Sequence, residues 1–290
     1  RKIDGFIRAK RKLIGLLNEQ KQAIIHHAVT RGLDSTVPLM PTESRWFPEL
    51  PEAWEVVTMR RVIRCAIDGP HFSPNYLESG IPFLSARNVR PDRWLLDDAK
   101  FISDADYREF CRRVRPEKGD VLYTKGGTTG VAKVVDLEFP FQVWVHIAVL
   151  KLDRNLIIPE FLALCLNSPR CYEQSQLLTR GATNQDLGLG RMKQIELPLP
   201  PSLDEQVRIV TAVAEQSVAP NTAIARTERE IALMQEYRTR LTADVVTGKL
   251  DVRAAASHLP AESNATKTGE SVPDELTEPE EIQARESYEY

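Results

Sequence analysis

The sequence predicts an α+β protein, a domain built on a mixed, mostly antiparallel sheet and flanked by two long helices. Three observations predict it. Apolar residues recur in heptads near both ends of the chain. The middle is a series of short β-branched and apolar runs punctuated by Gly and Pro. The two end segments also resemble each other. At an offset of 217 residues, Ile7 falls on Ile224, Ile14 on Ile231, Leu16 on Leu233, Glu19 on Glu236, Val29 on Val246, Thr30 on Thr247, Leu33 on Leu250 and Asp34 on Asp251. Termini match as well as apolar positions, so the similarity reads as repeated architecture.

The first helix is expected over residues 3–28, within a segment 1–34. Ile3, Ile7, Ile14, Leu17, Ile24 and Ala28 hold a and d positions, Lys10 and Lys21 interrupt them, and Gly32 in TRGLD ends the helix. The chain opens inside this pattern, which leads us to expect a fragment of something longer. Residues 45–200 form the expected sheet domain, from WEVVTM, RRVIRCAI, IPFLSA, DVLYT, VAKVV and FQVWVHIAVLKL. Residues 159–178 read as helix broken near Pro169.

Residues 201–252 carry the distal helices. In PSLDEQ, Ser202 can cap a helix, with Glu205 closing a capping box. Pro220-Asn221 is expected to separate that helix from a second one over 222–246, whose register is held by Ile224, Ile231, Met234, Leu241 and Val245 and interrupted by Thr227 and Arg238. Residues 253–290 read as a disordered tail. From residue 251 onward the chain holds ten acids and three bases, a net of −7, so against a whole-chain charge of −3 residues 1–250 carry +4. A mildly basic folded part permits nucleic-acid binding without establishing it.

Composition and motifs exclude several classes. No apolar run reaches the ~18 residues that a membrane span requires, and no signal peptide opens the chain. Cys65, Cys111, Cys165 and Cys171 have no CxxC spacing, which points to buried thiols in a reducing cytoplasm and away from a metal or disulfide role. No HExxH, GxSxG, NPPY-type methyltransferase or PD…ExK nuclease pattern is present, so we expect no catalytic and no metal residues. His26 and His27 lie late in the first helix, and His71 and His146 are isolated in sequence. Trp54, Trp94 and Trp144 read as core or rim.

The stretch YTKGGTTG places Lys125 before Gly126 and Gly127, followed by Thr128 and Thr129. In a nucleotide-binding Walker loop the Lys follows the last Gly at a strand–helix junction. Here the chain continues as a strand, so the segment is a strand–turn–strand connection. Two readings stay open: a tight turn that needs Gly for positive φ, or a loop whose Lys and backbone NH groups meet a DNA phosphate or groove edge.

An ordered set of motifs resembles one family. These are IDGFIRAKRKLIGLLNEQKQAIIHHAVTRGLD, PEAWEVVTMRRV, IPFLSARNVRP, GDVLYTKGGTTGVAKVV, LLTRGATNQDLGLGRMKQIELPLPPSLDEQVRIV and RLTADVVTGKLDVR. Together they resemble the C-terminal half of the specificity subunit of type I restriction–modification systems, over about residues 1–253. The resemblance implies a central helix (1–34), a second target-recognition domain (45–200) and a distal helix, with the two long helices pairing as an antiparallel coiled coil through Ile7, Ile14, Leu17, Ile24, Ile224, Ile231, Met234 and Leu241. It implies double-stranded DNA, methyltransferase subunits and a motor-nuclease restriction subunit as partners, in the cytoplasm. S-adenosylmethionine, ATP and Mg would sit on those partners and no cofactor on this chain, which would supply specificity and not bond-making. Two paired helices of about 25 residues make a rod of about 37 Å, near one duplex turn of about 34–36 Å. A bipartite site with an unread spacer would follow. A half-subunit that pairs with a second copy is also compatible.

Within that reading, Arg87 and Asn88 of SARNV have the chemistry to contact guanine and adenine edges. TKGGTTG offers Lys125, Gly126, Gly127, Thr128 and Thr129, and RGATNQDLG offers Arg180, Thr183, Asn184 and Gln185. Motifs shared by a family cannot read a sequence that differs between its members. That assigns the last two segments to backbone phosphates or to the fold, and leaves DGPHFSPNYLES (68–79) and RPDRWLLDDAK (90–100) as further base-reading stretches. The alternative from another class is a non-catalytic coiled-coil scaffold that binds protein.

Overall fold

The computed structural model describes residues 2–181 and 185–251. The expected acidic tail lies outside the described residues. Two units are distinguished, residues 1–234 and 235–290.

Helix α1 (Lys2–Arg31) follows its heptads closely. Between Arg8 and Ala23 only Lys10, Ile14, Leu17 and Lys21 are half-buried, and every other residue is exposed. Seven-residue spacing thus selects one narrow stripe, including the two lysines whose stems lie along it. Gly32 ends the helix at φ +67°, with its N–H on the Ala28 carbonyl at 3.2 Å. Ala28 and Val29 enter the main core, which docks the end of α1 on the domain.

The domain follows as β1 (Leu39–Pro41), β2 (Glu49–Pro51), β3 (Glu55–Thr58), the single turn α2 (Met59–Val62), β4 (Ile63–Asp68), β5 (Ile81–Leu84), β6 (Lys100–Ile102), α3 (Asp104–Cys111), β7 (Val121–Thr124), β8 (Ala132–Val134), β9 (Gln142–Val143), β10 (Ile147–Leu152), α4 (Pro159–Leu166), α5 (Pro169–Leu178), α6 (Leu189–Met192) and β11 (Glu196–Leu199). These strands do not make one sheet. They divide into antiparallel β4-β10-β7-β8, β6-β5-β9 with β5 and β9 parallel, and the pairs β11-β3 and β1-β2. The run FQVWVHIAVLKL, continuous in hydropathy, is split by a turn in which the Ile147 N–H meets the Trp144 carbonyl at 2.9 Å, so β9 and β10 belong to different sheets.

Period-two alternation along β7 serves two cores. Val121 and Tyr123 join the main cluster with Ala148, Leu150, Phe161 and Leu162, while Leu122 joins a second cluster with Ile147 and Val149. Cys165 and Cys171 lie in the main cluster, and burial pushes the Cys171 thiol up to about 12, so it stays protonated and unreactive. Pro159 and Pro169 each occupy a first helical position, where a missing N–H is harmless, and this breaks 159–178 into α4 and α5.

Helix α7 (Leu203–Val246) corrects one expectation. Ser202 Oγ accepts from the Glu205 N–H at 3.2 Å as a cap, but the Glu205 carboxylate turns to the Trp54 indole N–H at 3.0 Å. Pro220 does not divide the helix; it lies inside it and is buried. The reason is register. Val213, Ser217, Pro220 and Thr227 are all buried along one stripe, with Ile224 half-buried between the last two. Continuous packing of that stripe outweighs the absent N–H of one proline. Glu230 reaches Lys10 of α1 at 2.7 Å, and a cavity of about 380 Å³ near the other end of α1 is lined by Ile24, His27 and Ala28 together with Gln216. The two helices therefore run in opposite directions within residues 1–234.

An interior proline costs about 3 kcal/mol relative to Ala, and the buried ring returns part of it. Pro220→Ala is expected to stabilise residues 1–234 by about 1–2 kcal/mol in urea unfolding. A lower midpoint would mean that the ring packs better than a restored helix.

Candidate nucleic-acid interface

Lys125 directly follows β7 and continues the alternation of Val121 and Tyr123, so the pattern that fills the core also carries its side chain inward. It is 5% exposed. A buried ammonium requires charged partners. Its Nζ lies 2.7 Å from Asp186 Oδ1 and 3.5 Å from Asp68 Oδ2. Asp68, at the end of β4, is also gripped by Arg113, whose Nη2 meets its carboxylate and whose Nε donates to its backbone carbonyl at 2.9 Å. His71 Nε2 stands 3.3 Å from both Asp68 Oδ1 and Arg113 Nη2.

Backbone pairing completes the knot. The Leu187 N–H donates to the Lys125 carbonyl at 2.8 Å, the Lys125 N–H to the His146 carbonyl at 2.8 Å, and Arg180 and Asp186 exchange N–H···O bonds of 3.0 and 2.8 Å. A Cβ on Gly126 would overlap the imidazole Nδ1 of His146, so only Gly fits there. Gly127 then takes φ +70° to turn the hairpin. Three loops distant in sequence are thereby tied together: 68–79, 125–130 and 180–187.

Burial alone would raise the Asp68 carboxyl, but the Arg113 hydrogen bond, the Lys125 charge and His71 outweigh it and hold the group below the usual carboxylate range. Burial lowers the His146 imidazole; Lys125 and His71 lower it further, and Asp186 opposes them. His146 Nδ1 is buried without a hydrogen-bond partner among the described residues.

The remaining sequence-derived residues divide clearly. Gly127 and Thr128 form the exposed hairpin tip, whereas Gly126 and Thr129 are buried. Arg87 is exposed, but Asn88 is 2% exposed and structural. Its Oδ1 accepts from the Ser85 N–H at 2.8 Å and from Ser85 Oγ at 2.9 Å, and its Nδ2 donates to the Leu95 carbonyl at 2.7 Å. Arg180 and Gln185 are exposed, while Thr183 and Asn184 lie outside the described residues. In the 68–79 loop, Phe72 and Tyr76 are exposed, with Phe72 edge-on to Phe110 at 5.4 Å and Tyr76 6.2 Å from Phe83.

Sequence reasoning missed Asp68, Arg113 and Asp186, and it left His71 and His146 as isolated residues. The alternation of β7 was the available signal that Lys125 points inward. No pattern in the chain announces its carboxylate partners. Among the described residues no group of three or more His, Cys, Asp or Glu side chains could hold a metal, and no helix is long and apolar enough to cross a membrane.

Comparison with known proteins bears on this arrangement. The sequence profile named Type I restriction modification DNA specificity domain matches residues 51–217, more than half of the chain. The chain is 22% identical over 256 residues to the type I restriction enzyme MjaVIII specificity subunit of Methanocaldococcus jannaschii, covering 86% of this chain and 58% of that protein. It is 25% identical over 240 residues to the EcoBI specificity subunit of Escherichia coli, covering 75% of this chain and 49% of that protein. The chain thus spans about half the length of the curated relatives it matches. A structure described under complex assembly and conformational transition of the type I R-M system superposes with a TM-score of 0.50 at 19% identity, over 84% of this chain and 56% of the other, and supports the same fold.

The buried ions make two predictions. Lys125→Ala removes one of the two cations on buried Asp68, leaving Arg113 there, and takes the partner from Asp186. It is expected to cost about 2–3 kcal/mol in denaturant unfolding, against about 0.5 kcal/mol or less for the exposed Thr128→Ala. Lys125→Ala therefore reports on loop anchoring and not on a phosphate contact alone. For pH, a carboxyl held below its unfolded value contributes stability that is complete above about pH 4 and is lost as pH falls through its lower folded value. Asp68→Asn should thus flatten the acid limb of the stability profile below about pH 4. An unchanged limb would show that Asp68 is not held low.

Proposed function

Because the chain belongs to the Type I restriction modification DNA specificity domain family, we propose that it reads one half of a bipartite DNA site within a specificity subunit. The observation that carries the reading is that the family match, 51–217, encloses all three loops tied by Lys125. Base readout by a loop needs a rigid platform, and the two-carboxylate clamp supplies one.

In this reading the exposed groups divide by chemistry. Arg87 presents an exposed guanidinium suited to the O6 and N7 of guanine, and Asn88 holds the turn that presents it. Gly127 and Thr128 offer a backbone N–H and a hydroxyl to a phosphate. Arg180 and Gln185 flank Thr183 and Asn184 at a second contact. Lys125, Gly126 and Thr129 act from beneath as positioning residues. The chain contributes recognition and no bond-making.

The domain reading follows: 1–34 and 201–252 as helical arms, 45–200 as the recognition domain, and 253–290 as an acidic tail. The half-buried and buried stripes of α1 and α7, together with the Lys10–Glu230 pair, support an antiparallel coiled coil through Ile7, Ile14, Leu17, Ile24, Ile224, Ile231 and Met234. Leu241 extends the same register on α7. Methyltransferase subunits, and a restriction subunit beyond them, would dock on the arms and bring S-adenosylmethionine, ATP and Mg.

Selection from a random duplex library by the full chain, co-expressed with a methyltransferase subunit, is expected to enrich one short motif. Arg87→Ala should then relax a single base pair by about 1–3 kcal/mol. Thr128→Ala should weaken all duplexes alike. Salt-sensitive binding with no enriched motif would overturn sequence reading, and a folded complex that binds no duplex would favour a protein-binding scaffold.

A further inference from the structure

A second polar surface lies at the opposite end of β4 from the Asp68 clamp. It is a groove of about 610 Å³, lined by Thr58, Arg60, Arg64, Gly190, Lys193 and Gln194, with Ile63 and Cys65 in its floor. Arg60 and Arg64 are exposed and Lys193 is half-buried. Among the described residues none of the three cations is ion-paired, although cations elsewhere on the domain are: Lys151 with Glu117 and Asp120, Lys118 with Glu138, Arg113 with Asp68. The acid opposite Thr58 in the β3–β11 register, Glu196, takes its hydrogen bond from Ser44 Oγ. Three like charges around one groove repel one another, and an anion entering it removes that repulsion.

We infer that this groove is a backbone-phosphate clamp for duplex DNA, formed by Arg60, Arg64 and Lys193 with Thr58 and Gln194 as neutral donors. The inference rests on the DNA-reading function proposed above and assigns it a second contact surface. Its donors are the types that dominate phosphate contacts. None of the three cations is buried, which suits a diester passing across the groove better than an enclosed small anion. Geometry also fits. From Ile63 to Asp68, β4 covers about 17 Å at 3.3 Å per residue, about half of a duplex turn of ~34 Å. Arg191, next to the groove on α6, donates to the Asp186 carbonyl at 2.8 Å, so clamp and loop cluster share a rigid connection. A duplex read by the three loops can rest its backbone in the groove half a turn away. The clamp carries no base readout, so it adds affinity without altering sequence preference.

The test compares the wild-type full chain with R60A/R64A/K193A and with a charge-matched control, R112A/K118A/R170A, whose cations each face a carboxylate. Binding to a 30-bp duplex is titrated across a salt series, with thermal unfolding as the folding check. The groove variant is expected to bind at least tenfold more weakly at 150 mM salt. Its slope of log K against log salt should be shallower by about 2–3, at ~0.9 per phosphate lost. Motif preference should be unchanged, and the control should match wild type. Arg64→Gln alone should lower the slope by about 1, which keeps the test decisive if the triple variant unfolds. A wild-type slope in the groove variant, while wild type still selects its motif, would overturn the clamp and leave the DNA-reading function standing. Loss of a co-purifying protein with the slope intact would also overturn it and make the groove a protein contact. Wild-type protein that binds no duplex would remove both.

Discussion

The Lys125 ammonium at the root of the β7–β8 hairpin has left water, and it can do so only because two carboxylates from distant parts of the chain meet it there. Asp68 ends a strand and Asp186 follows α5, 118 residues further on. Satisfying that one charge fixes where three loops stand relative to one another. Desolvation makes the arrangement costly to disturb: each buried charge loses a partner when a member of the cluster is removed. Arg113, reaching Asp68 from beyond α3, adds a fourth segment to the same constraint. The hairpin tip, Arg180 and Gln185 can be solvent-exposed and still well positioned because what lies beneath them is not adjustable.

A division of labour follows between what is buried and what is displayed. Lys125, Gly126 and Asn88 look like ligand-contacting residues by type, yet each is consumed by the fold: an ion pair, a close approach to His146, a turn held through Ser85 and Leu95. The displayed groups are Arg87, Thr128, Arg180, Gln185 and the aromatic rings of the 68–79 loop. Affinity and discrimination can then come from different places. Long cations at the β3–β4 junction and on the segment after α6 supply charge, and the loop cluster supplies shape and hydrogen bonds.

Much of the architecture was legible because it is periodic. Heptads marked α1 residue by residue, down to the half-burial of Lys10 and Lys21 on the apolar stripe. Pro159 and Pro169 marked helix starts by a rule that depends only on the missing N–H. Pro220 misled for the same reason. Proline chemistry is local, whereas the stripe from Val213 to Thr227 is a property of the whole segment packed together, and packing prevailed. Sheet composition was legible and sheet partition was not, since a single turn at Trp144–Ile147 sends one apolar run into two sheets. The loop cluster was half legible. The alternation Val121, Tyr123, Lys125 points the lysine inward, but nothing local in the sequence says that Asp68 and Asp186 will be there, because their meeting is a consequence of topology.

The measurement that bears most directly on the whole account is hydrogen exchange along the chain, free and bound to a duplex carrying the selected motif. If the clamped loops form one reading surface, residues 68–79, 125–130 and 180–187 should gain protection together on binding, with the main core unchanged. Protection confined to α1 and α7, with the three loops exchanging as in the free protein, would contradict it and place the function on the helices instead.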